Sequence, residues 1–371
     1  MPLTTETMVL NMGPHHPSTH GVLRFILLTD GEVIHKCRPD IGYLHRGFEK
    51  IAEKVTYAQF MPYTDRLDYL AAMNCNLGYA LTVEKLGGIE VPPRAQYIRV
   101  LAAELNRVLS HLISVGALAL DLGAVTPFTH ALREREWALD LMEELCGARM
   151  TYNYVRFGGV AFDLPDGFLD RLTRFLDYFE PRLDQYNRLI SHNKIFRERL
   201  RDVAVISPED AVAYALVGPN LRACGIDWDL RRDETYSIYG DLEFEVLLGD
   251  SDYGVRGDCY TRYWVRILEM KQSIRLIRQC VAKMPGGSHW NRGKKKLILP
   301  AGEVYVRTEA PRGELGFYLI SRGEDRPYRL KIRTGSFSAM SIVEKVAPGL
   351  MVADMVALIS SLDVVAPEID R

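Results

Sequence analysis

Paired cysteines are missing from this chain of 371 residues. Its thiols, Cys37, Cys75, Cys146, Cys224, Cys259 and Cys280, stand apart. No CxxC occurs, and no close pair suggests a disulfide framework or a zinc site. Isolated buried thiols in a reducing compartment are the expectation. Nucleotide fingerprints are missing too. Neither GxGxxG nor GxxxxGK[ST] is present, so no dinucleotide or nucleoside triphosphate site is indicated. No GxSxG elbow offers a serine nucleophile. The formal net charge of -2 excludes a global basic field for nucleic acid. No basic region followed by an apolar run opens the chain, so no signal peptide is expected. The most apolar stretch, 108–128, is interrupted by His111, Asp121, Gly123 and Pro127. It reads as a buried helix and its exit rather than a membrane span. Membrane contact through a partner stays open. With 47% hydrophobic and 25% charged residues, the chain has the composition of a folded protein. It carries no complete catalytic machine, which suggests that electrons come from outside.

Turn and periodicity signals divide what is there. Residues 8–11, 22–29 and 32–37 read as strands, and Asp30-Gly31 between the last two is a hairpin signal. Helical character opens at 41–54, and the spacing predicts helices over 65–86, 93–122, 129–146 and 168–195. In the second of these, Ile98, Leu101, Leu105, Val108, Leu112 and Val115 recur at three- and four-residue steps. Beyond Val203 the texture mixes. Short strands are expected at 225–230 and 246–249, then a helix over 260–283. A polar connector with Lys294, Lys295 and Lys296 follows, expected to be solvated. Strands at 302–308, 315–321 and 328–333 and a helix at 351–361 close the chain. The expected fold class is α+β, mainly α. A small N-terminal antiparallel sheet (1–60), a central bundle of long helices (61–202) and a C-terminal α+β region (203–371) would form one compact unit.

Two segments concentrate the chemistry. The loop Gly13-Pro14-His15-His16-Pro17-Ser18-Thr19-His20-Gly21 sets three imidazoles between residues of restricted or unusual backbone conformation. Imidazole gives or takes a proton near neutral pH. The second segment, Asp65-Arg66-Leu67-Asp68-Tyr69-Leu70, offers a phenol that rarely ionises. Together they suit a ligand whose carbonyl oxygens are protonated as it is reduced. Other readings of the loop stay open: metal binding, although no carboxylate or thiol joins it locally, and capping of its own backbone. Asp121 lies in an apolar context, where a carboxylate needs a partner. It could pair with an arginine, cap a helix end, or hold His20 in one tautomer and raise its basicity.

These residues belong to longer motifs: GPHHPSTHG at 13–21, IGYLHRGFEKIAE at 41–53, DRLDYL at 65–70, VPPRAQYIRVLAAEL at 91–105, ALDLGAVTPF at 119–128, FGGVAFDLP at 157–165, LRACGIDWDLR at 221–231, YVRTEAPRGELGFYL at 305–319 and the terminal EIDR. Together they resemble the quinone-site subunit family of complex I, the D-subunits of the NADH–quinone oxidoreductases. That family is similar to the large subunit of nickel–iron hydrogenases. The resemblance implies a hydrogenase large-subunit-like fold in the peripheral arm of a proton-pumping NADH (or ferredoxin)–quinone oxidoreductase, with quinone as substrate. It implies that His20 and Tyr69 bind the quinone head, that Asp121 partners His20, and that Arg46 lies beside the terminal [4Fe–4S] cluster of the adjacent subunit. The implied partners are the B-subunit, which carries that cluster, the C- and I-subunits, and the membrane-embedded H-subunit with its quinone channel. The implied location is the cytoplasmic face of the inner membrane.

Hydrogenase metals are held by two CxxC pairs, which align here with Asp68 and Ala71 and with Val365 and Glu368. None is a thiolate, so a hydrogenase reading fails on ligand chemistry, and no metal is expected in this chain. A scaffold or assembly paralogue is the remaining alternative. Three departures from the family stand out: Thr151 where relatives often carry a histidine, Pro367 where a glycine is expected, and a short connector over 285–300.

Overall fold

Alternating burial builds the first sheet. In a computed structural model that describes residues 7–14, 21–292 and 296–371, β1 (Thr7–Met12), β2 (Arg24–Asp30) and β3 (Val33–Asp40) pair antiparallel in that order. Phe25, Leu27 and Thr29 face the core at the two-residue period of a strand. Asp30 pairs with Val33 across the expected Asp-Gly hairpin. His15, His16, His20, Lys294 and Lys295 lie outside the described residues.

Helices then take over. α1 (Phe48–Ala52) is much shorter than the helical run expected from 41 to 54. α2 (Tyr57–Thr64) is opened by a capping box, in which Thr56 Oγ1 accepts from the Gln59 amide and Gln59 Oε1 accepts from that of Thr56. α3 (Ala72–Gly87) begins late. Residues 65–71 form turns instead of the expected helix, because Asp68 Oδ1 accepts from the N–H groups of Leu70 and Ala71 at 3.1 and 3.3 Å. Such local bonds compete with a helical ladder.

α4 (Pro93–Asp121) runs through the centre, buried on nearly every side, and packs against α5 (Val125–Cys146). A short ribbon follows, β4 (Val155–Arg156) with β5 (Gly159–Val160). The amphipathic run from Phe168 is broken before Ile195. α6 (Phe168–Tyr186) gives way to a π-helical turn over Asn187–Ser191. Asn193 then accepts from the Ile195 and Phe196 amides and starts α7 (Lys194–Leu200).

α8 (Pro208–Ala213), α9 (Gly218–Ala223) and α10 (Leu230–Asp233) are short, whereas α11 (Cys259–Ala282) crosses the core beside α4. The strands expected at 225–230 and 246–249 do not form. Their backbone is spent on single loop bonds such as Gly249 N–H to Arg222 O at 3.0 Å. The C-terminal sheet, β6 (Gly302–Ala310), β7 (Gly313–Ser321) and β8 (Arg329–Arg333), matches expectation. α12 (Gly335–Ser341), α13 (Val343–Val346), α14 (Val352–Leu362) and α15 (Ala366–Asp370) end the chain. The fold is α+β and mainly α, with one continuous apolar cluster from Met12 to Ile369. Among the described residues no helix is long and apolar enough to cross a membrane.

Candidate functional site

Three segments far apart in sequence meet around one guanidinium. Arg312 sits in the β6–β7 turn, donating from Nη1 to Asp68 Oδ2 at 2.5 Å and to Ser110 Oγ of α4 at 3.1 Å. Its Nε and Nη2 grip the backbone oxygen and Oδ1 of Asp363, at 2.9 and 3.2 Å. The turn can approach this closely because glycines surround it. A Cβ on Gly335 would lie 2.2 Å from Arg312 O, and one on Gly218 would lie 2.3 Å from Gly313 Cα. Asp363 caps α14 in the left-handed region at φ 55, a cost that backbone strain near a working site often carries.

Tyr69 follows Asp68 in the turns over residues 65–71 and is 37% exposed. Its hydroxyl makes no hydrogen bond among the described residues, so the donor is available to a ligand. Burial of the phenol pushes its pKa up; Arg312 opposes this, and the carboxylates of Asp68 and Asp363 add to it. Asp68 and Glu368 converge here, the charge of one acting on the other. Both are buried, with Ala71 and Val365 buried beside them in the chain. Burial drives Glu368 up to about 8, and the charge on Asp68 pushes the same way. Ser336 Oγ donates to Glu368 Oε2. Pro367 occupies the first turn of α15, where a missing N–H costs nothing.

The remaining expected residues are placed differently. His20 lies outside the described residues; the next residue, Gly21, is described, and a Cβ on it would stand 3.3 Å from Ala366 Cβ at the start of α15. Asp121 is the last residue of α4, about three turns and 16 Å beyond Ser110 at 1.5 Å per residue. It accepts from Ser360 Oγ of α14, which makes it a link between helix ends. Arg46 borders a separate cavity of about 480 Å³, lined by Phe48, Ile51, Gln59, Pro62, Tyr63 and Arg66. Its guanidinium lies 4.3 Å from the Phe48 ring centroid and donates from Nη2 to Arg66 O at 2.6 Å. Burial and the nearby Arg66 charge lower its pKa, and Asp370 opposes them. Thr151 stands at φ 54, two residues before Asn153; both carboxylate oxygens of the nearby Asp65 are buried without a hydrogen-bond partner among the described residues. Burial pushes Asp65 up to about 7, with Arg66 Nη1 3.6 Å away.

Sequence reasoning missed Arg312, Asp363, Glu368 as an acid, Asp65 and Ser360. Arg312 and Glu368 lie in motifs already singled out, TEAPRGELG and EIDR, but nothing in one sequence pairs residues 68, 312 and 368. No group of three or more His, Cys, Asp or Glu among the described residues is arranged to hold a metal. The cysteines stand singly, five of them buried, so this donor set does not fit an iron–sulfur cluster.

The description "Respiratory-chain NADH dehydrogenase, 49 Kd subunit" belongs to the family model that matches residues 121–298 and 288–371. The NADH-quinone oxidoreductase D-subunit 2 of Sorangium cellulosum is 55% identical over 369 residues, 99% of this chain and 95% of the relative. The D-subunit 1 of Anaeromyxobacter sp. (strain K) is 55% identical over 366 residues, 99% and 97% of the two chains. The D-subunit of Chlorobaculum tepidum is 48% identical over 373 residues, 100% and 93%.

Proposed function

Because the chain belongs to the family of the 49-kDa subunit of respiratory-chain NADH dehydrogenase, we propose that it forms the head-group end of a quinone site, with Tyr69 as a proton donor. The chain is a subunit of an NADH–quinone oxidoreductase complex. The observation that carries the finer reading is the Tyr69 hydroxyl, unengaged among the described residues and set beside the buried Asp68–Arg312 pair.

Quinone reduction to quinol takes two electrons and two protons. Arg46 would lie beside a [4Fe–4S] cluster held by the adjacent B-subunit, and that cluster would supply the electrons. This chain supplies position and protons. Tyr69 Oη donates to one ring oxygen and the His20 imidazolium to the other, both basic enough to accept once the ring is reduced. Asp121 stabilises the imidazolium. When His20 gives up its proton, the carboxylate is left with an unbalanced charge, and that imbalance is the signal passed towards proton translocation. In this arrangement the chain sits in the peripheral arm with the B-, C- and I-subunits. It lies over the membrane-embedded H-subunit and its quinone channel, on the cytoplasmic face of the inner membrane.

Tyr69→Phe tests the site. In membranes it removes one hydroxyl and leaves the fold. Quinone reductase activity is expected to fall by about 100-fold, the low end for general acid catalysis. Ferricyanide reduction, which reads upstream electron flow, stays at the wild-type rate. Unchanged quinone activity would move the scaffold reading ahead.

A further inference from the structure

Charge around Arg312 does not balance. Asp68, Asp363 and Glu368 are all buried, and Arg312 contacts the first two at 2.5 and 3.2 Å. The second cation, Arg266 of α11, reaches Asp363 only at 3.6 Å. Its Nε and Asp363 Oδ2 both lack a hydrogen-bond partner among the described residues. Its other nitrogens are spent on Ser361 O, Leu362 O and Asn220 Oδ1. Three buried carboxyls thus share at most two guanidiniums among the described residues. An uncompensated buried carboxylate takes up a proton rather than stay charged.

Glu368 is the place for that proton. Asp68 and Asp363 each hold Arg312 directly, while the hydrogen-bond partner of Glu368 is a neutral hydroxyl, Ser336. The groups that face Glu368 are Asp68 before α3, Cys75 on α3, Arg312 in the β6–β7 turn, Asp363 after α14 and Ser336 on α12. Among the described residues only one of them is a cation.

We propose that Glu368 is a positioning residue for the quinone site, a neutral carboxylic acid in the working enzyme whose proton keeps the Tyr69 phenol able to donate. This rests on the reading of Tyr69 given above. Once Tyr69 and His20 have both passed their protons to the ring, the imidazole is neutral, and the phenolate left behind joins Asp68 and Asp363 against two guanidiniums, a net charge of one. An ionised Glu368 would make it two, and each added like charge disfavours the donation. No proton leaves Glu368 in this step. Its burial, together with the Asp68 charge, sets its titration at about 8, so the loss of donation belongs to the alkaline side.

The test uses the assembled complex and the quinone reductase rate divided by the ferricyanide rate at each pH. In wild type the ratio falls about tenfold from pH 7 to pH 9, as expected for one acid group ionising near 8. Glu368→Gln, neutral at every pH, retains the ratio across that range, and Glu368→Asp restores the fall. A merely structural role would lower the ratio equally at all pH values. A Glu368→Gln profile that superimposes on wild type overturns the proposal. Should that variant fail to assemble, Ser336→Ala serves instead. Removing the hydroxyl that favours the ionised form moves the alkaline fall to higher pH, and an unmoved fall overturns the proposal. Infrared titration supplies a readout without turnover: a protonated-carboxyl C=O band lost near pH 8 in wild type and absent from Glu368→Gln. Tyr69→Phe separates the two failures. If it leaves quinone activity intact, the site reading falls. If it abolishes activity while the Glu368 variants titrate like wild type, only the role of Glu368 falls.

Discussion

Two buried ionic clusters on α4 show how the same residue types can be built for opposite ends. The Glu104 carboxylate lies between two guanidiniums, Arg107 Nε at 3.2 Å and Arg231 Nη1 at 3.3 Å, the second shared with Asp229 at 2.7 Å. Tyr239 and Ser273 donate hydroxyl bonds to it at 2.6 and 2.7 Å. Burial alone would raise its pKa, but the two arginines and the hydroxyls hold it down to about 2. Around Arg312, about two turns further along α4, three carboxyls have two guanidiniums, of which Arg312 alone bonds them and Arg266 stands 3.6 Å from Asp363. There burial wins and Glu368 rises to about 8. What separates the fixed charge from the titrating one is direct contact, since both carboxyls are buried: Glu104 has two guanidiniums and two hydroxyls against it, whereas the side-chain partner of Glu368 among the described residues is the Ser336 hydroxyl.

The largest expected effect breaks the first cluster. Glu104→Ala leaves Arg107 and Arg231 buried with a partner missing, a loss of about 3–5 kcal/mol. It should show as loss of this subunit from the purified complex. Glu368→Gln should leave assembly at wild-type yield, because it keeps the volume and removes an excess acid. Equal losses in the two variants would mean that the clusters do not differ in kind.

Stability against pH sharpens the contrast. Glu104 titrates in the folded state at about 2 instead of its ordinary 4.5. Its contribution is therefore present above the ordinary value and lost as pH falls through about 2. Glu368 is raised, so its contribution is full below pH 4.5 and disappears as pH rises through about 8. Thermal melts of the complex should therefore drop at both ends. Glu368→Gln should flatten the alkaline drop alone. A flattened acid limb in that variant would contradict the assignment.

The contrast also explains which parts of the molecule are legible in its sequence. The N-terminal hairpin, α4, α11 and the C-terminal sheet are, because local signals and burial period agree there. Residues 65–71 read as helix because the apolar spacing runs through them, and only the bonds from Asp68 to its own backbone say otherwise. Strands at 225–230 and 246–249 fail because β-type composition there meets no partner strand. Tyr69 and Asp121 stand out by context, but the pairing of Asp121 with Ser360 joins residues 239 apart. Arg312, which organises the centre, is hidden for the same reason: its partners come from residues 68, 110 and 363.

Asp121→Asn comes next in size. The amide oxygen still accepts from Ser360, so the helix junction should lose no more than about 1 kcal/mol, a neutral bond for a charged one. The pH profile of quinone reduction should nonetheless shift, because the charge proposed to hold the His20 imidazolium is gone. An unshifted profile would confine Asp121 to joining α4 and α14.

Arg46 carries the smallest expected effect on the fold. Its contact with Phe48 is worth about 0.5–1 kcal/mol at a site open to water, so Arg46→Met should leave assembly intact. Its charge should matter at longer range. A cation beside the adjacent subunit's cluster favours the reduced state, and removing it makes the midpoint potential more negative, on the order of tens of millivolts in a medium of effective dielectric constant about 20. Arg46→Lys keeps the charge but cannot lie flat on Phe48 while donating to Arg66 O. It should restore most of the potential and little of the stacking. Redox titration of both variants in the assembled complex separates the two roles. If Arg46→Met leaves the potential where it is, the cavity beside Phe48 and Tyr63 does not face the cluster.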